Sequence, residues 1–180
     1  MAVEALTLND GRSAAILDLG CKNSAICPCL AALGFTNLHG IDLDRSVRRQ
    51  PTFGPIRWHV GDFYNCPFSD RTFDAIVAIS TIEHGLDLAR LTKEISRLLV
   101  PGGLFVFSTD YHQSKLETSG LRPYGLEWTI FSQDDVLQLL RLFREYGLTP
   151  AGDLRFGQQE SPIRWMGLAY TFLFGVLRKA

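Results

Sequence analysis

The stretch Ala14-Ala15-Ile16-Leu17-Asp18-Leu19-Gly20-Cys21 constrains this chain more than any other. A mostly apolar run that ends on a carboxylate and a glycine reads as a buried parallel strand handing over to a ligand-holding loop. Two further acidic turns follow, Gly40-Ile41-Asp42-Leu43-Asp44 and Gly61-Asp62-Phe63. Three successive strands thus stop at one edge of one sheet, each leaving a carboxylate there. In open α/β sheets that carboxyl edge is where ligands bind.

The rest of the chain alternates between strand and helix periods. Ala25 to Leu33 reads as a helix closed by Gly34, with Pro28 fitting its first turn. Asn37–Ile41 and Ile56–Val60 alternate as short strands, and Asp44 is placed to cap a short helix ending before Pro51. Phe73–Ile79 is a near-continuous apolar run, the mark of a central strand. Within 86–99, Leu88, Leu91, Ile95 and Leu98 recur at helical spacing, and Pro101-Gly102-Gly103 is expected to stop that helix before a buried strand over Leu104–Ser108. Ser132 with Asp135 is a capping-box pattern opening a helix that runs to Tyr146-Gly147. Two last strands are expected near Leu148–Phe156 and Arg164–Leu177. Tyr111–Phe131 has no clear period, and irregular segments of that length in compact domains are usually functional or disordered. The expectation is one α/β domain over 1–180, doubly wound around a mostly parallel seven-stranded sheet with helices on both faces, and with 111–131 as a lid-like insertion.

At 180 residues the chain can bury a full core. Its net charge of −1 and its dispersed basic residues set up no field toward phosphate backbones, so no nucleic-acid partner is expected. Arg45, Arg48 and Arg49 read as a solvated face. Cys21, Cys27, Cys29 and Cys66 form no well-spaced pairs, and Cys27-Pro28-Cys29 is too tight for a zinc knuckle. They read as structural thiols in a reducing compartment. Met1–Arg12 lacks a basic start followed by an apolar run, and Trp165–Leu177 is short of the ~20 residues of a spanning helix. A cytoplasmic protein without a membrane span is expected.

Four blocks then stand in order: Ile16-Leu17-Asp18-Leu19-Gly20-Cys21; Gly40-Ile41-Asp42-Leu43; Gly61-Asp62-Phe63 with Cys66-Pro67-Phe68 and Phe73-Asp74; and Leu98-Leu99-Val100-Pro101-Gly102-Gly103. Together, from Ala14 to the C-terminus, they resemble the class I S-adenosylmethionine-dependent methyltransferases, especially the small-molecule branch. The resemblance implies a Rossmann-like methyltransferase fold whose last strand is antiparallel, with S-adenosyl-L-methionine as cofactor. It implies cofactor contacts from Asp18, Gly20, Cys21, Lys22, Asp42, Leu43, Asp62, Phe63 and Ile79. Gly20 lets the backbone approach the methionine part, and Asp18 orients the loop or the cofactor ammonium. Asp42 accepts both ribose hydroxyls, Asp62 the adenine amine, and Phe63 lies beside the ring. The acceptor implied is a small molecule, a sugar or a natural-product intermediate; the oligomeric state stays open.

One departure stands out. The family pattern continues Asp-x-Gly-x-Gly-x-Gly, whereas this chain has Lys22 and Ser24 at the later glycine positions. A lysine takes positive φ only at a cost and brings charge toward a cationic sulfonium. Either the loop runs wider or the cofactor is held less tightly, which keeps a non-catalytic binding or scaffold protein as an alternative. The spacing from Gly20 to Asp42 is shared with dinucleotide folds, so an NAD-binding oxidoreductase is a third reading, against which the Gly61-Asp62-Phe63 and Pro67-Phe68 blocks speak.

Methyl transfer asks for alignment and, for a hydroxyl acceptor, a proton acceptor. His84, Tyr111 and His112 are the catalytic candidates, because they follow the fourth and fifth strands. His84 reads either as a general base or, with Glu83, as the cap of the next helix. Ser80 stands where a metal-holding variant of the family has glutamate, so no metal is expected. Trp128 and Phe131 either help to grip the acceptor or anchor the next helix. His39 and His59 read as ordinary packing or surface residues.

Overall fold

The computed structural model describes residues 11–51, 54–85, 87–154, 156 and 160–180. Strands β1 (Ala15–Leu19), β2 (Asn37–Asp42), β3 (Ile56–Val60), β4 (Phe73–Ile79) and β5 (Leu99–Tyr111) run parallel, and β6 (Leu148–Pro150), β7 (Ile163–Trp165) and β8 (Leu168–Lys179) complete the strands. The sheet order is β3-β2-β1-β4-β5-β8-β6, with β7 pairing β8 off that path. β8, the last strand, is antiparallel to β5 and β6. The chain steps outward from β1 to β3 and then returns to lay β4 on the other side of β1. That reversal opens a crevice between β1 and β4 at the carboxyl edge.

All five residues of β1 are buried. Alternate side chains divide between two cores. Ile16, Leu38, Ala75, Val77 and Val106 pack on one face with Cys27 and Leu30 of helix α1 (Ile26–Ala32). Leu17, Leu19, Ile76, Phe105 and Phe107 pack on the other with Leu91, Ile95 and Leu98 of α2 (Leu88–Leu98) and Val136, Leu139 and Phe143 of α3 (Gln133–Glu145). Pro28 sits in the first turn of α1, where its missing N–H costs nothing. Asp44 caps a 3-10 turn over Arg45–Arg49, and the capping box of Ser132 and Asp135 opens α3.

Three expectations need correction. The residues Pro101-Gly102-Gly103 do not separate helix from strand. They form a bulge inside β5, where Phe73 pairs with Leu99 but Ala75 pairs with Leu104, and Gly102 takes φ 79°. The expected strand over Arg164–Leu177 is a hairpin, because Met166 and Gly167, at φ 48° and 80°, make a two-residue turn between Trp165 and Leu168. The expected strand over Leu148–Phe156 ends at Pro150, where a last backbone bond from the Ala151 amide to Val176 O (2.8 Å) is followed by a bend at Ala151 and Gly152; its Arg155 lies outside the described residues, as do the start of the helix expected from Leu86 and most of Met1–Arg12. The sheet therefore holds eight strands, seven of them on the main path. Among the described residues no helix is long and apolar enough to cross a membrane.

Candidate functional site

The ends of β1 and β2 are stitched into one loop system. The Gly20 amide donates to Ile41 O (2.9 Å) and the Gly61 amide to Asp42 O (2.9 Å). Gly20 takes φ 70°, and a Cβ there would lie 2.5 Å from Thr81 Cγ2, so the turn after β4 presses directly on the loop after β1. Thr81 Oγ1 also donates to Leu19 O at 3.1 Å. Cys21–Asn23 then form a single 3-10 turn. Lys22 is not among the described non-glycine residues at positive φ, which are Arg71, Ser80, Tyr124 and Met166. The strain expected of a lysine in a glycine position is therefore absent. Its amide donates to Asp42 Oδ2 (2.9 Å), and its ammonium pairs with Asp44 across a half-exposed 2.5 Å contact that neutralises its charge.

Asp18 is 1% exposed; the nearby Ser24 side chain lowers its pKa somewhat, but neither carboxyl oxygen has a hydrogen bond of good geometry among the described residues. Burial, with the charge of Asp42 adding to it, raises its pKa from 3.8 to about 7. An orphaned buried carboxyl is costly, and an ammonium group in front of it would satisfy it. Asp42 accepts the Asp44 amide on Oδ1 (2.8 Å) and the Lys22 amide on Oδ2, which leaves lone pairs on both oxygens. Asp62 accepts the Tyr64 amide (2.8 Å) and Arg90 Nη2 (3.0 Å), and that guanidinium lies 4.9 Å over the Tyr64 ring. Leu43 is 53% exposed beside Asp42, Phe63 is buried against Tyr64, and Ile79 is half-buried at the end of β4. Cys21 is buried, its thiol pushed up by desolvation, and a Cβ on Gly40 would lie 2.8 Å from its Sγ.

The turn after β4 carries the other side of the crevice. Ser80 adopts φ 49° and its amide donates to Ser108 Oγ (3.0 Å). Glu83 is fully buried with neither oxygen partnered among the described residues, and it caps nothing: α2 is capped by Asp87, which accepts the Arg90 amide at 3.0 Å. Burial and the neighbouring Asp110 push the Glu83 carboxyl up to about 8. Burial also raises Asp110 to about 6, although it accepts Trp128 Nε1 at 2.8 Å and a Tyr170 hydroxyl hydrogen bond. His84 is half-buried, its Nδ1 lacks a partner among the described residues, and burial lowers its pKa, so the imidazole is neutral at physiological pH. Its ring stands edge-on to Tyr124 at 5.2 Å.

Two catalytic candidates fare differently. Tyr111 does not reach the pocket mouth. It follows Phe105, Phe107 and Thr109 onto the α3 side of β5, is 2% exposed, and buries its hydroxyl without a partner among the described residues. His112 opens the irregular segment, and its Nδ1 lies 2.8 Å from Ser114 O, to which a protonated nitrogen would donate, and 3.2 Å from the Ser114 amide. That segment is pinned at its far end: the Thr129 amide donates to Glu83 O, the Gly85 amide to Glu127 O, and Phe131 exchanges backbone bonds with Asp110 and His112. Trp128 and Phe131 are buried and serve as its anchors, whereas Tyr124 is 78% exposed. Thr81, Arg90, Trp165 and Tyr170 were not singled out from the sequence; Trp165 and Tyr170 reach this edge only through the β7–β8 hairpin. A cavity of about 350 Å³ lies at the opposite edge of the sheet, where Asp74 is engaged by the Ala15 amide and Arg178 by Gly102 O.

A family model described as a methyltransferase domain matches residues 17–107. The chain is 32% identical over 100 residues to a sterol 24-C-methyltransferase of Aspergillus fumigatus, covering 50% of this chain and 26% of that protein. It is 28% identical over 107 residues to norajmaline N-methyltransferase of Rauvolfia serpentina, covering 55% and 37%. Its fold is similar to that of the crystal structure of an S-adenosylmethionine-dependent methyltransferase from Methanosarcina mazei, with TM-score 0.72 and 19% identity over 99% of this chain and 97% of that one. The chain spans only 14% to 37% of the length of the curated relatives it matches.

Proposed function

The chain belongs to the methyltransferase-domain family, and from that premise we propose that it transfers a methyl group from S-adenosyl-L-methionine to a small-molecule acceptor. The observation that carries this reading is Asp18, a buried carboxyl without a partner among the described residues, at the end of the central strand beside the crevice. The donor supplies an electrophilic methyl on a cationic sulfur. Asp18 would meet its ammonium, Gly20 and the turn over Cys21–Asn23 its methionine chain, and the free lone pairs of Asp42 the ribose diol. Leu43, Asp62 and Phe63 line the adenine end, where Arg90 must share Asp62, and Ile79 lies below. His84, its pKa lowered by burial and its buried Nδ1 without a partner among the described residues, would take a proton from an acceptor that reaches that nitrogen. His112 lies farther along, at the entrance of the 111–131 segment, which we read as a lid pinned at its C-terminal end.

The relatives named for sterol and alkaloid substrates support a small acceptor. Lys22, unstrained and paired with Asp44, gives the scaffold alternative little support. Four free cysteines, three of them buried, suit a reducing cytoplasm. Calorimetric titration with S-adenosylmethionine, S-adenosylhomocysteine and NAD tests the reading. Both adenosyl compounds are expected to bind and NAD is not; failure of both at about 1 mM, a weak limit for any specific site, overturns it.

A further inference from the structure

Resting on that reading, we propose that the acceptor is a cationic amine, held on the aromatic faces of Tyr124 and Trp165 with the buried carboxyls of Glu83 and Asp110 behind them. The rings form a connected wall at the carboxyl edge. His84 meets Tyr124 at 5.2 Å, Tyr124 meets Trp165 at 6.2 Å, Trp165 meets Trp128 at 5.1 Å, and Trp128 meets Tyr170 at 5.6 Å. Its inner members, Trp128 and Tyr170, are 2% and 4% exposed, while Tyr124 at 78% and Trp165 at 37% face outward. Tyr124 is held at φ 59°, a region that a side-chain-bearing residue adopts only under constraint, so an exposed ring is presented at a conformational cost that solvent contact alone does not explain.

Behind the wall lie two buried carboxyls with no cationic partner among the described residues. Trp128 Nε1 and the Tyr170 hydroxyl both donate to Asp110, which ties two of the rings to one carboxyl. Glu83 interacts with Asp110 and Tyr170 and is fully buried; the Thr109 side chain and nearby backbone amides hold its pKa down somewhat, but neither oxygen has a hydrogen bond of good geometry among the described residues. Burial first and the charge of Asp110 second hold the Glu83 carboxyl up at about 8, so it keeps its proton at neutral pH, while burial raises Asp110 to about 6. A cation in front of the wall would allow both to ionise. Among the described residues no lysine or arginine pairs with either carboxyl: Arg122 is committed to Glu127 at 2.9 Å, and Arg164 alternates to the opposite side of β7 from Trp165. Aromatic faces backed by carboxylates attract ammonium groups, most strongly those whose substituents shed water easily. A neutral ring such as a sugar would stack on Tyr124 but would gain nothing from the carboxyl pair.

The site also lies where a methyl acceptor belongs. Its Ser80–Gly85 turn carries Thr81, which touches the Gly20 loop, so wall and donor loops share one connection. An ammonium must shed a proton before its nitrogen can accept a methyl group, and His84, whose buried Nδ1 has no partner among the described residues, belongs to the same wall.

The test uses the full chain and choline chloride as the cationic probe, followed by tryptophan fluorescence at constant ionic strength. The neutral isostere 3,3-dimethylbutan-1-ol and methyl glucoside serve as comparisons. Choline is expected to saturate, with the isostere at least about tenfold weaker. Tyr124→Ala and Glu83→Gln should each weaken choline by about tenfold, and Tyr124→Phe should restore it. Since Tyr124 is largely exposed, Tyr124→Ala keeps the test valid even if Glu83→Gln unfolds. No saturation below about 100 mM, equal binding of the isostere, tighter binding of methyl glucoside, or indifference to Tyr124→Ala would overturn the proposal. S-adenosylhomocysteine is titrated into the same samples. If it binds while choline does not, the amine proposal falls and the methyltransferase reading stands; if it fails to bind, that reading falls on its own.

Discussion

Asp18→Asn separates two consequences of burying a carboxyl at the end of β1. The wild-type group is 1% exposed, and its pKa rises from 3.8 to about 7 through burial first and the charge of Asp42 second. One pH unit between folded and unfolded values is worth about 1.36 kcal/mol, so the folded chain above pH 7 carries a penalty of roughly 4 kcal/mol that is absent in acid. Between pH 3.8 and 7 the folded chain keeps a proton that the unfolded chain has released, so stability falls as pH rises through that window. Asparagine has no proton to release. Its stability relative to wild type should therefore improve by up to roughly 4 kcal/mol between pH 4 and pH 8, measured by denaturant unfolding.

Donor binding runs the other way. On the proposed reading the donor's ammonium group meets Asp18 in its carboxylate form, so wild-type affinity for S-adenosylhomocysteine should weaken about tenfold for each pH unit below 7. The variant should bind weakly and without that slope, because a charge-assisted hydrogen bond worth about 1.5–3 kcal/mol is gone. Calorimetry between pH 5.5 and 8 measures both. A stability difference that does not change between pH 4 and 8 would show that Asp18 holds no such proton. Equal affinity in the two proteins would show that the ammonium is bound elsewhere.

Asp42→Ala removes the acceptor for the Lys22 and Asp44 amides along with the proposed ribose partner, so S-adenosylhomocysteine should weaken by about 2–3 kcal/mol in calorimetry, and no change would misplace the ribose. Lys22→Gly should alter S-adenosylmethionine and S-adenosylhomocysteine equally, because Asp44 already neutralises the ammonium, whereas Asp44→Ala should weaken the sulfonium ligand more; the reverse pattern refutes the pairing. Arg97 holds Glu94, Asp70 and the carbonyls of Cys66 and Phe68, and Glu94 is only 7% exposed. Arg97→Ala leaves that carboxylate with the Cys66 amide but no cation and should cost about 3 kcal/mol in denaturant unfolding, against which a loss below about 1 kcal/mol would count.

The parts legible in the sequence are those fixed by local periods. β3 and β4 occupy the residues their alternation and apolar run indicate, and Asp44 and the Ser132–Asp135 box cap where their chemistry demands. Pro101-Gly102-Gly103 misled because proline and glycine look alike in a helix stop and in a bulge. Only pairing with β4 decides between them. Past that bulge, the alternation from Phe105 sends Tyr111 toward α3, a signal present in the sequence but outweighed by its position after the strand. Glu83 resembled a helix cap by position alone, while its burial depends on β5 and the irregular segment closing over it. The aromatic wall was illegible for a stronger reason: Trp165 and Tyr170 meet Trp128 through a hairpin turn and a long-range pairing that no local pattern encodes.

The carboxyl edge divides its charge by what each strand end can offer. At β1 and β2 the loops supply backbone amides, so Asp42 stays an open acceptor, while Asp18 is left for a cation to satisfy. At β4 and β5 the neighbours are rings, so Asp110 is held by Trp128 and Tyr170, and Glu83 is left unpaired. Lys22, the residue closest in chain to the donor loop's glycine that carries positive charge, is turned onto Asp44 and does not offset this field. On the proposed reading that arrangement acts on both reactants of a methyl transfer. A cationic donor is drawn to the edge, and it leaves as a neutral thioether with less to hold it. A cationic amine is drawn to the same edge from the other side of Thr81. The two cations repel one another in open water, and Asp18 and Glu83, each able to release its proton as a cation arrives, would with Asp42 and Asp110 offset that repulsion where the two must meet.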